Sequence, residues 1–333
     1  GDHRDLHSFP RRSSDLSHMG EIEVKGEDST IFLNQILTND IINLKDGQVQ
    51  YSILANESGG TKDDVLVYRF SERHYWVVVN ASNRYKDFKW LIKHSTGYQV
   101  NVNDISDNVA QFALQGPKAL EILNTASNED VGKIRFFRFI KSVKVNGITC
   151  LVSRTGYTGE DGFELYFNPS DAVFLWKTLL NLGKDYGLKP AGLGCRDTLR
   201  FEACLPLYGN ELDEDISPLE AGLDWVVKFN KPDFIGKQAL TIQKENGIKR
   251  KIVGFEMLGR GIPRHGYRVY KNEMEIGYVT TGYYSPTLEK NIGMALVSIK
   301  YSNPGEIVYI IIRDKPIKAV IVETPFYNKK YKK

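Results

Sequence analysis

The sequence is poor in the residues that build disulfide scaffolds and metal centres. Its three cysteines, Cys150, Cys195 and Cys204, are odd in number and scattered, so neither a disulfide framework nor a zinc spacing can be drawn. A reducing compartment is the default. The six histidines form no HxxxH or HExxH pattern, which leaves no metal expected. No apolar run approaches the roughly 20 residues of a membrane span, and the N-terminal residues contain no apolar core of a secretory signal. A phosphate-binding GxxxxGK[ST] and a nucleophile elbow are also missing. Charge of one sign is not in excess: 44 Lys and Arg against 41 Asp and Glu give +3, too mild to argue for nucleic acid. That balance still allows a modest preference for acidic partners. No repeat of fixed period occurs. The one biased tract is the Lys-rich end from Lys329 to Lys333, which suits either an acidic partner or a solvated terminus.

What is present is a well-supplied core. Hydrophobic residues make up 41% of 333, and the 18 Tyr and 16 Phe favour a strand-rich α+β protein over a helical bundle. At about 150 residues per domain, the length suggests two or three domains.

Gly1 to Ser14 shows no apolar periodicity and reads as a non-native or disordered extension. Globular patterning begins after it. Glu21 to Val24 alternates as a strand, and Ser29 to Leu37 has helical spacing behind a serine suited to capping. Gln50–Leu54, Asp64–Tyr68 and His74–Val79 read as a β-meander, followed by a helix with Tyr85, Phe88, Leu91 and Ile92 on one stripe. A further β–turn–α unit starts at Phe112, with Pro117 in the first helical turn. Asn146-Gly147 signals a hairpin, Phe163–Phe167 a strand, and Asp171 the cap of a helix reaching about Gly183. The Lys-rich, Pro- and Gly-punctuated stretch 229–250 is the expected linker. Five short β runs beyond it, from Ile252 to Ile312, predict a small C-terminal barrel at 251–327 with a basic tail at 328–333.

Three places carry potential chemistry. Asp64 follows Gly59-Gly60-Thr61-Lys62-Asp63 and opens an apolar strand. It is either a turn residue chosen for local hydrogen bonding or a carboxylate that must be solvated, paired or bound to a ligand. Alternation puts Asp63 and Asp64 on opposite faces. Glu164, in the strand after the glycine-rich Arg154–Gly162 segment, is either the wet side of a sheet or an acceptor for the paired N–H donors of a heteroaromatic edge such as a pterin. Arg196 opens a helix, where a cation opposes the dipole, so it is reserved either for an anionic ligand or for a salt bridge to Asp197, Glu160 or Glu202.

Five blocks in order, DLSHMGEIEVKG from Asp15, NESGGTKDDVLVYR from Asn56, RTGYTGEDGFELY from Arg154, GCRDTLRFEACLPLYGNELDE from Gly194 and IGYVTTGYYSPTLEKNIGMALV from Ile276, resemble the glycine cleavage T-protein family. The related iron–sulfur assembly proteins carry KGCYxGQE where RTGYTGEDG stands here. The resemblance implies an α+β fold of two interleaved α/β domains with mostly antiparallel sheets, spanning 15–228, plus the barrel, all around a central folate-binding hole. It implies a soluble, cytoplasmic aminomethyltransferase that takes the one-carbon unit from the lipoylated H protein to tetrahydrofolate and releases ammonia. The alternative within this fold is a folate-binding protein without transfer activity. Carried over by motif, Asp64 matches the catalytic acid, Glu164 the acid on the pterin edge and Arg196 a substrate-binding residue; Tyr157 and Tyr327 are further candidates for binding the cofactor. A segment like FAGWxMP ahead of Asp15 has no counterpart in Gly1–Ser14, so the first domain is expected to be incomplete in this polypeptide.

Overall fold

The computed structural model describes residues 19–331, and the readings for 1–18 and for Lys332 and Lys333 lie outside those residues. The first unit comprises β1 (Met19–Lys25), α1 (Ser29–Ile36), β2 (Val49–Ala55), β3 (Thr61–Ser71), β4 (His74–Asn80), α2 (Arg84–His94) and β5 (Asn101–Asp104). Its strands form an antiparallel sheet in the order β2-β3-β4-β1-β5. The second unit contains β6 (Ala110–Gln115), α3 (Ala119–Ala126), β7 (Phe139–Val145), β8 (Ile148–Ser153), β9 (Gly162–Phe167) and α4 (Ala172–Gly183), with the order β6-β9-β8-β7.

Both units run strand, helix, three-stranded meander, helix, and the path β2-β3-β4-β1 is repeated as β7-β8-β9-β6. The duplication escapes the sequence because each unit needs only apolar alternation at the same places, not the same residues. The units join where Gln48 bridges Arg138, with Val49 N–H donating to the Phe137 carbonyl at 3.0 Å and Phe139 N–H to that of Gly47 at 2.9 Å.

Alternation sets the layers. On β3, Val65 and Val67 pack with Phe32 and Leu33 of α1 and Leu91 of α2, whereas Leu66 and Tyr68 face the second sheet beside Phe139, Leu151 and Tyr166. Phe163 and Leu165 of β9 turn the other way, onto Ile122 and Leu123 of α3 and Leu175 and Leu179 of α4. Two sheets therefore stack face to face between two layers of helices. The expected hairpin joins β7 to β8, with Asn146 and Gly147 at φ of 47° and 87°, as a type I′ turn requires.

Some local expectations are corrected. The stripe on α2 is rotated: Tyr85 and Ile92 are exposed, and Asp87, Trp90 and Leu91 are the buried face. The reason is a polar contact at the start of that helix, where buried Asp87 meets buried Asp63. Asp171 does not cap α4 with its side chain. Asn168 accepts from the Ser170 N–H instead and starts a short 3-10 turn ahead of the helix. Ser29 lies inside α1, its hydroxyl donating to the Gly26 carbonyl at 2.9 Å.

After α5 (Leu193–Glu202), the stretch 229–250 carries α6 (Lys237–Asn246) and leads into the barrel. Six strands close it, β10 (Arg250–Met257), β11 (Arg268–Lys271), β12 (Met274–Ser285), β13 (Lys290–Ser298), β14 (Ile307–Ile312) and β15 (Lys315–Val322), in the order β10-β13-β12-β11-β14-β15. The sequence shows five of them. Lys315, Pro316 and Lys318 mask the sixth, which pairs with both β10 and β14 and so closes the barrel. Phe201 of α5 packs on Ile292 and Met294, fixing the helix to the barrel wall.

Lys231, in the 229–250 stretch, ties this region to the first unit. Its Nζ donates to the carbonyls of Asn34, Leu37 and Asn39 at 2.5, 2.6 and 2.9 Å, where α1 ends and its carbonyls have no helical donor. Burial pushes its proton affinity down to about 7, but three carbonyl acceptors are the environment of an ammonium, and the geometry supports the charged form. Lys231→Met should cost about 2–4 kcal/mol in urea unfolding, because three buried carbonyls lose their donor. A variant as stable as the parent would refute this role.

Candidate functional site

A cavity of about 970 Å³ lies where the two sheets, the start of α5 and the barrel meet. Asp64 and Glu164 line it from different sheets, together with Arg196, Tyr157, Tyr51, Asn80, Gln111, Trp225 and Tyr331.

Asp64 sits on the inward face of β3 and keeps some exposed surface, toward the cavity. Its Oδ2 accepts from the Tyr51 hydroxyl at 3.0 Å and its Oδ1 from Asn80 Nδ2 at 2.9 Å. Burial, followed by the neighbouring Asp63 carboxylate, pushes its proton affinity up to about 7, while the Tyr51 and Asn80 hydrogen bonds pull the other way. A carboxyl in that range is suited to exchanging a proton near neutrality. As alternation requires, Asp63 points away, fully buried and outside the cavity lining.

Glu164 is 6% exposed, so it is not the wet side of a sheet. The second sheet stacks on the first, and the face shared by Glu164 and Tyr166 is an interior one. Glu164 Oε2 accepts from the Thr155 hydroxyl and lies 3.5 Å from the hydroxyls of both Tyr68 and Tyr166. All of these fall on one oxygen, which leaves Oε1 without a protein donor among the described residues. Burial raises its proton affinity, and the Thr155 hydrogen bond and the Arg196 charge oppose that rise. A buried carboxylate with one oxygen anchored and one free is built to receive donors from a ligand.

Arg196 forms no ion pair among the described residues. The carboxylates within its reach in sequence are committed: Asp197 to Arg200, Glu160 to Tyr327 and Lys330, and Glu202 to Ser285. Its guanidinium instead lies over the Tyr157 ring, 4.6 Å from the centroid, with the Met19 sulfur 3.8 Å from Nη2. Tyr157 lines the cavity, and its hydroxyl donates to the Pro206 carbonyl. Tyr327 is not among the lining residues, and its hydroxyl donates to Glu160; Tyr331, four positions later, lines the cavity and stacks on Phe136 at 4.4 Å.

Tyr51, Asn80, Trp225 and Tyr331 have no motif to announce them. Only the β2–β3 register, which places Ile53 against Asp64 and Tyr51 against Leu66, makes Tyr51 a neighbour of the acid. Trp225 then stacks on Tyr51 at 5.8 Å.

Glu21 was legible only as part of a strand. It is fully buried opposite Val78, between the sheets, and neither carboxyl oxygen has a hydrogen-bond partner among the described residues. Burial pushes its proton affinity from 4.5 to about 8 against the pull of Arg84. A raised value means that this carboxyl favours the fold below about pH 4.5 and that the contribution is lost as pH rises through about 8. Glu21→Gln should therefore be more stable than the parent at pH 9, by about 1–3 kcal/mol, with the gain shrinking as pH falls below about 8 and gone below about pH 4.5. Chemical denaturation across that range checks it; a difference independent of pH would contradict it.

Among the described residues no cluster of three or more His, Cys, Asp or Glu is placed to hold a metal, and no helix is long and apolar enough to cross a membrane.

Residues 13–231 match the GCVT N-terminal domain, and residues 250–328 match the glycine cleavage T-protein C-terminal barrel domain. An aminomethyltransferase from Caldanaerobacter subterraneus subsp. tengcongensis is 60% identical over 319 residues, 96% of this chain and 85% of the relative. One from Geobacillus sp. is 54% identical over 316 residues, 95% and 86% of the two chains. The crystal structure of glycine cleavage system aminomethyltransferase T from Bartonella henselae superposes with a TM-score of 0.89 at 33% identity, covering 96% of this chain and 87% of that one. With both domain families matched in order, relatives this close over nearly the whole chain and the same fold in a solved structure, the chain belongs to the glycine cleavage T-protein family of aminomethyltransferases.

Proposed function

We propose that the cavity binds tetrahydrofolate and that the chain transfers the one-carbon unit of an aminomethyl group, carried on the lipoyl arm of an H protein, to it with release of ammonia. The observation that carries this reading is the convergence of two acids from separate sheets on one cavity, the partly buried Asp64 with its proton affinity raised to about 7 and the buried Glu164 with a free oxygen.

The residues fit the ligand. About 970 Å³ is at the upper end of the range of small-molecule sites. Glu164 Oε1 suits the amino-pyrimidinone edge, which presents two N–H donors side by side. The stacked Tyr51–Trp225 and Phe136–Tyr331 pairs offer flat walls. Arg196, a cation with no carboxylate partner among the described residues, suits an anionic group of the ligand.

Tetrahydrofolate supplies the two amines that accept the carbon. Their two protons balance the products, one going to the departing amine as ammonia and one to the lipoyl sulfur as thiol. Asp64 can take a proton as an accepting amine becomes cationic and return it to a leaving group, which needs a carboxyl with a proton affinity near the working pH. Tyr51 and Asn80 hold both of its oxygens, so the proton is exchanged at a fixed place. Burial between sheets and barrel limits water, which would compete for the same carbon.

Aminomethyltransferase relatives at up to 60% identity favour a transferase over a folate binder without turnover. The test is a coupled assay: aminomethylated H protein and tetrahydrofolate should yield methylene-tetrahydrofolate and ammonia in equal amounts. Binding of tetrahydrofolate without either product would overturn the transfer reading.

A further inference from the structure

Asp64 has a second acid directly behind it, and that acid is not idle. Asp63 is fully buried outside the cavity lining. Its Oδ2 accepts from the Asn80 backbone N–H at 3.0 Å, and its Oδ1 accepts from Asn80 Nδ2 at 2.8 Å and Asn83 Nδ2 at 2.6 Å. The same Asn80 Nδ2 donates to Asp64 Oδ1 at 2.9 Å. A primary amide has two N–H bonds, and here one is claimed by each aspartate. Turning the amide over would set its oxygen against two carboxylates, so only one orientation is available. Asn80 lines the cavity, and Asp63 does not.

We propose that Asp63 is a positioning residue that aims the Asp64 carboxylate through the Asn80 side-chain amide. The proposal deepens the reading of Asp64 as the proton-exchanging acid and rests on it.

Ionisable groups from several elements surround Asp63. Asp87, in the first turn of α2, is fully buried with no N–H or hydroxyl donor to either oxygen among the described residues, and it faces Asp63. Burial, then the Asp63 charge and a hydrogen bond to it, raise its proton affinity to about 10, so Asp87 keeps its proton and donates to Asp63. Lys86, on the same helix, and Lys62, on the strand, add positive charge from the outer side. Asp64 lies beside Asp63 on its own strand and Tyr51 is within electrostatic reach from β2, whereas Tyr157, from the loop ahead of β9, interacts with Asp64. Removing the Asp63 carboxylate therefore removes an electrostatic contribution, second only to burial, that raises the Asp64 proton affinity.

The test uses the full chain with aminomethylated H protein and begins with the pH profile of the parent. If that profile has no limb that Asp64→Asn removes, the reading of Asp64 fails, not this inference. Given the limb, Asp63→Asn should lower kcat about tenfold with KM for tetrahydrofolate within about twofold. The limb should also move to lower pH by about half a unit to one unit, a shift that a merely structural role would not produce. Asn80→Ala should lower kcat comparably, and the double variant should fall no further than the worse single one, because both break the same link. Additive losses, or an unmoved limb in Asp63→Asn, would overturn the proposal. If Asp63→Asn does not fold, Asp63→Glu carries the test: it keeps the charge but displaces it by one methylene. A kcat reduced at least about threefold with an unmoved limb supports the proposal, and parental kcat overturns it.

Discussion

Asp64→Asn should lower kcat for methylene-tetrahydrofolate formation by about 100-fold or more, the usual scale of a lost general acid–base group, while tetrahydrofolate binding stays within about threefold. Asparagine is isosteric and can still accept one hydrogen bond from Tyr51 or Asn80, but it neither takes up nor returns a proton. The pH dependence follows from the same carboxyl. With its proton affinity raised to about 7, the parent should lose kcat/KM as pH falls through that value, and the residual activity of Asp64→Asn should lack that limb. Stability separates this from misfolding. A carboxyl raised above its ordinary 3.8 favours the fold at low pH and loses that contribution as pH rises through about 7. Asparagine escapes the cost of a buried anion, so at pH 8 the variant should be no less stable than the parent. A variant that kept more than about a third of the parental kcat would remove Asp64 from the chemistry.

Glu164→Gln should act on affinity instead. The parent offers a free carboxylate oxygen to paired donors, whereas glutamine must present either a neutral oxygen or an N–H that opposes the ligand's own. Losing a charge-assisted contact in a buried site is worth about 1.5–3 kcal/mol, so the Kd of tetrahydrofolate measured by calorimetry should rise about 10- to 100-fold. At saturating folate, kcat should stay within about threefold, since Glu164 sits on the sheet opposite Asp64 and touches no atom of it. A loss in kcat with Kd unchanged would show that Glu164 serves the reacting centre and not recognition. The two variants therefore have opposite signatures, one in kcat and one in Kd, although both replace an acid lining the same cavity.

How much of this was legible in the sequence depended on range. Strand alternation placed Asp63 and Asp64 on opposite faces and paired Glu164 with Tyr166, and both assignments stand because they are properties of a single strand. Whether the face carrying Glu164 is wet or dry is not local. It is decided by a second sheet stacking on it, and alternation reads the same either way. The rotation of α2 was missed for the same reason. Apolar periodicity assigned Tyr85 and Ile92 to the core, but the buried position goes to Asp87, whose partner lies 24 residues earlier. The sixth barrel strand was hidden by a proline and two lysines on a run that barrel closure nevertheless recruits. Tyr51 and Asn80 were invisible as site residues because a tyrosine in a strand and an asparagine at a strand end have ordinary local explanations. Only the register of β2 on β3 and the geometry of the turn after β4 bring them to Asp64.

The seating of tetrahydrofolate tests the account most directly, by determining the structure of the chain with the ligand bound. The pterin edge should lie on Glu164 and the amine nitrogens beside Asp64, within the cavity lined by Tyr51, Asn80 and Arg196. Tetrahydrofolate bound elsewhere, or in this cavity with its pterin away from Glu164, would contradict it.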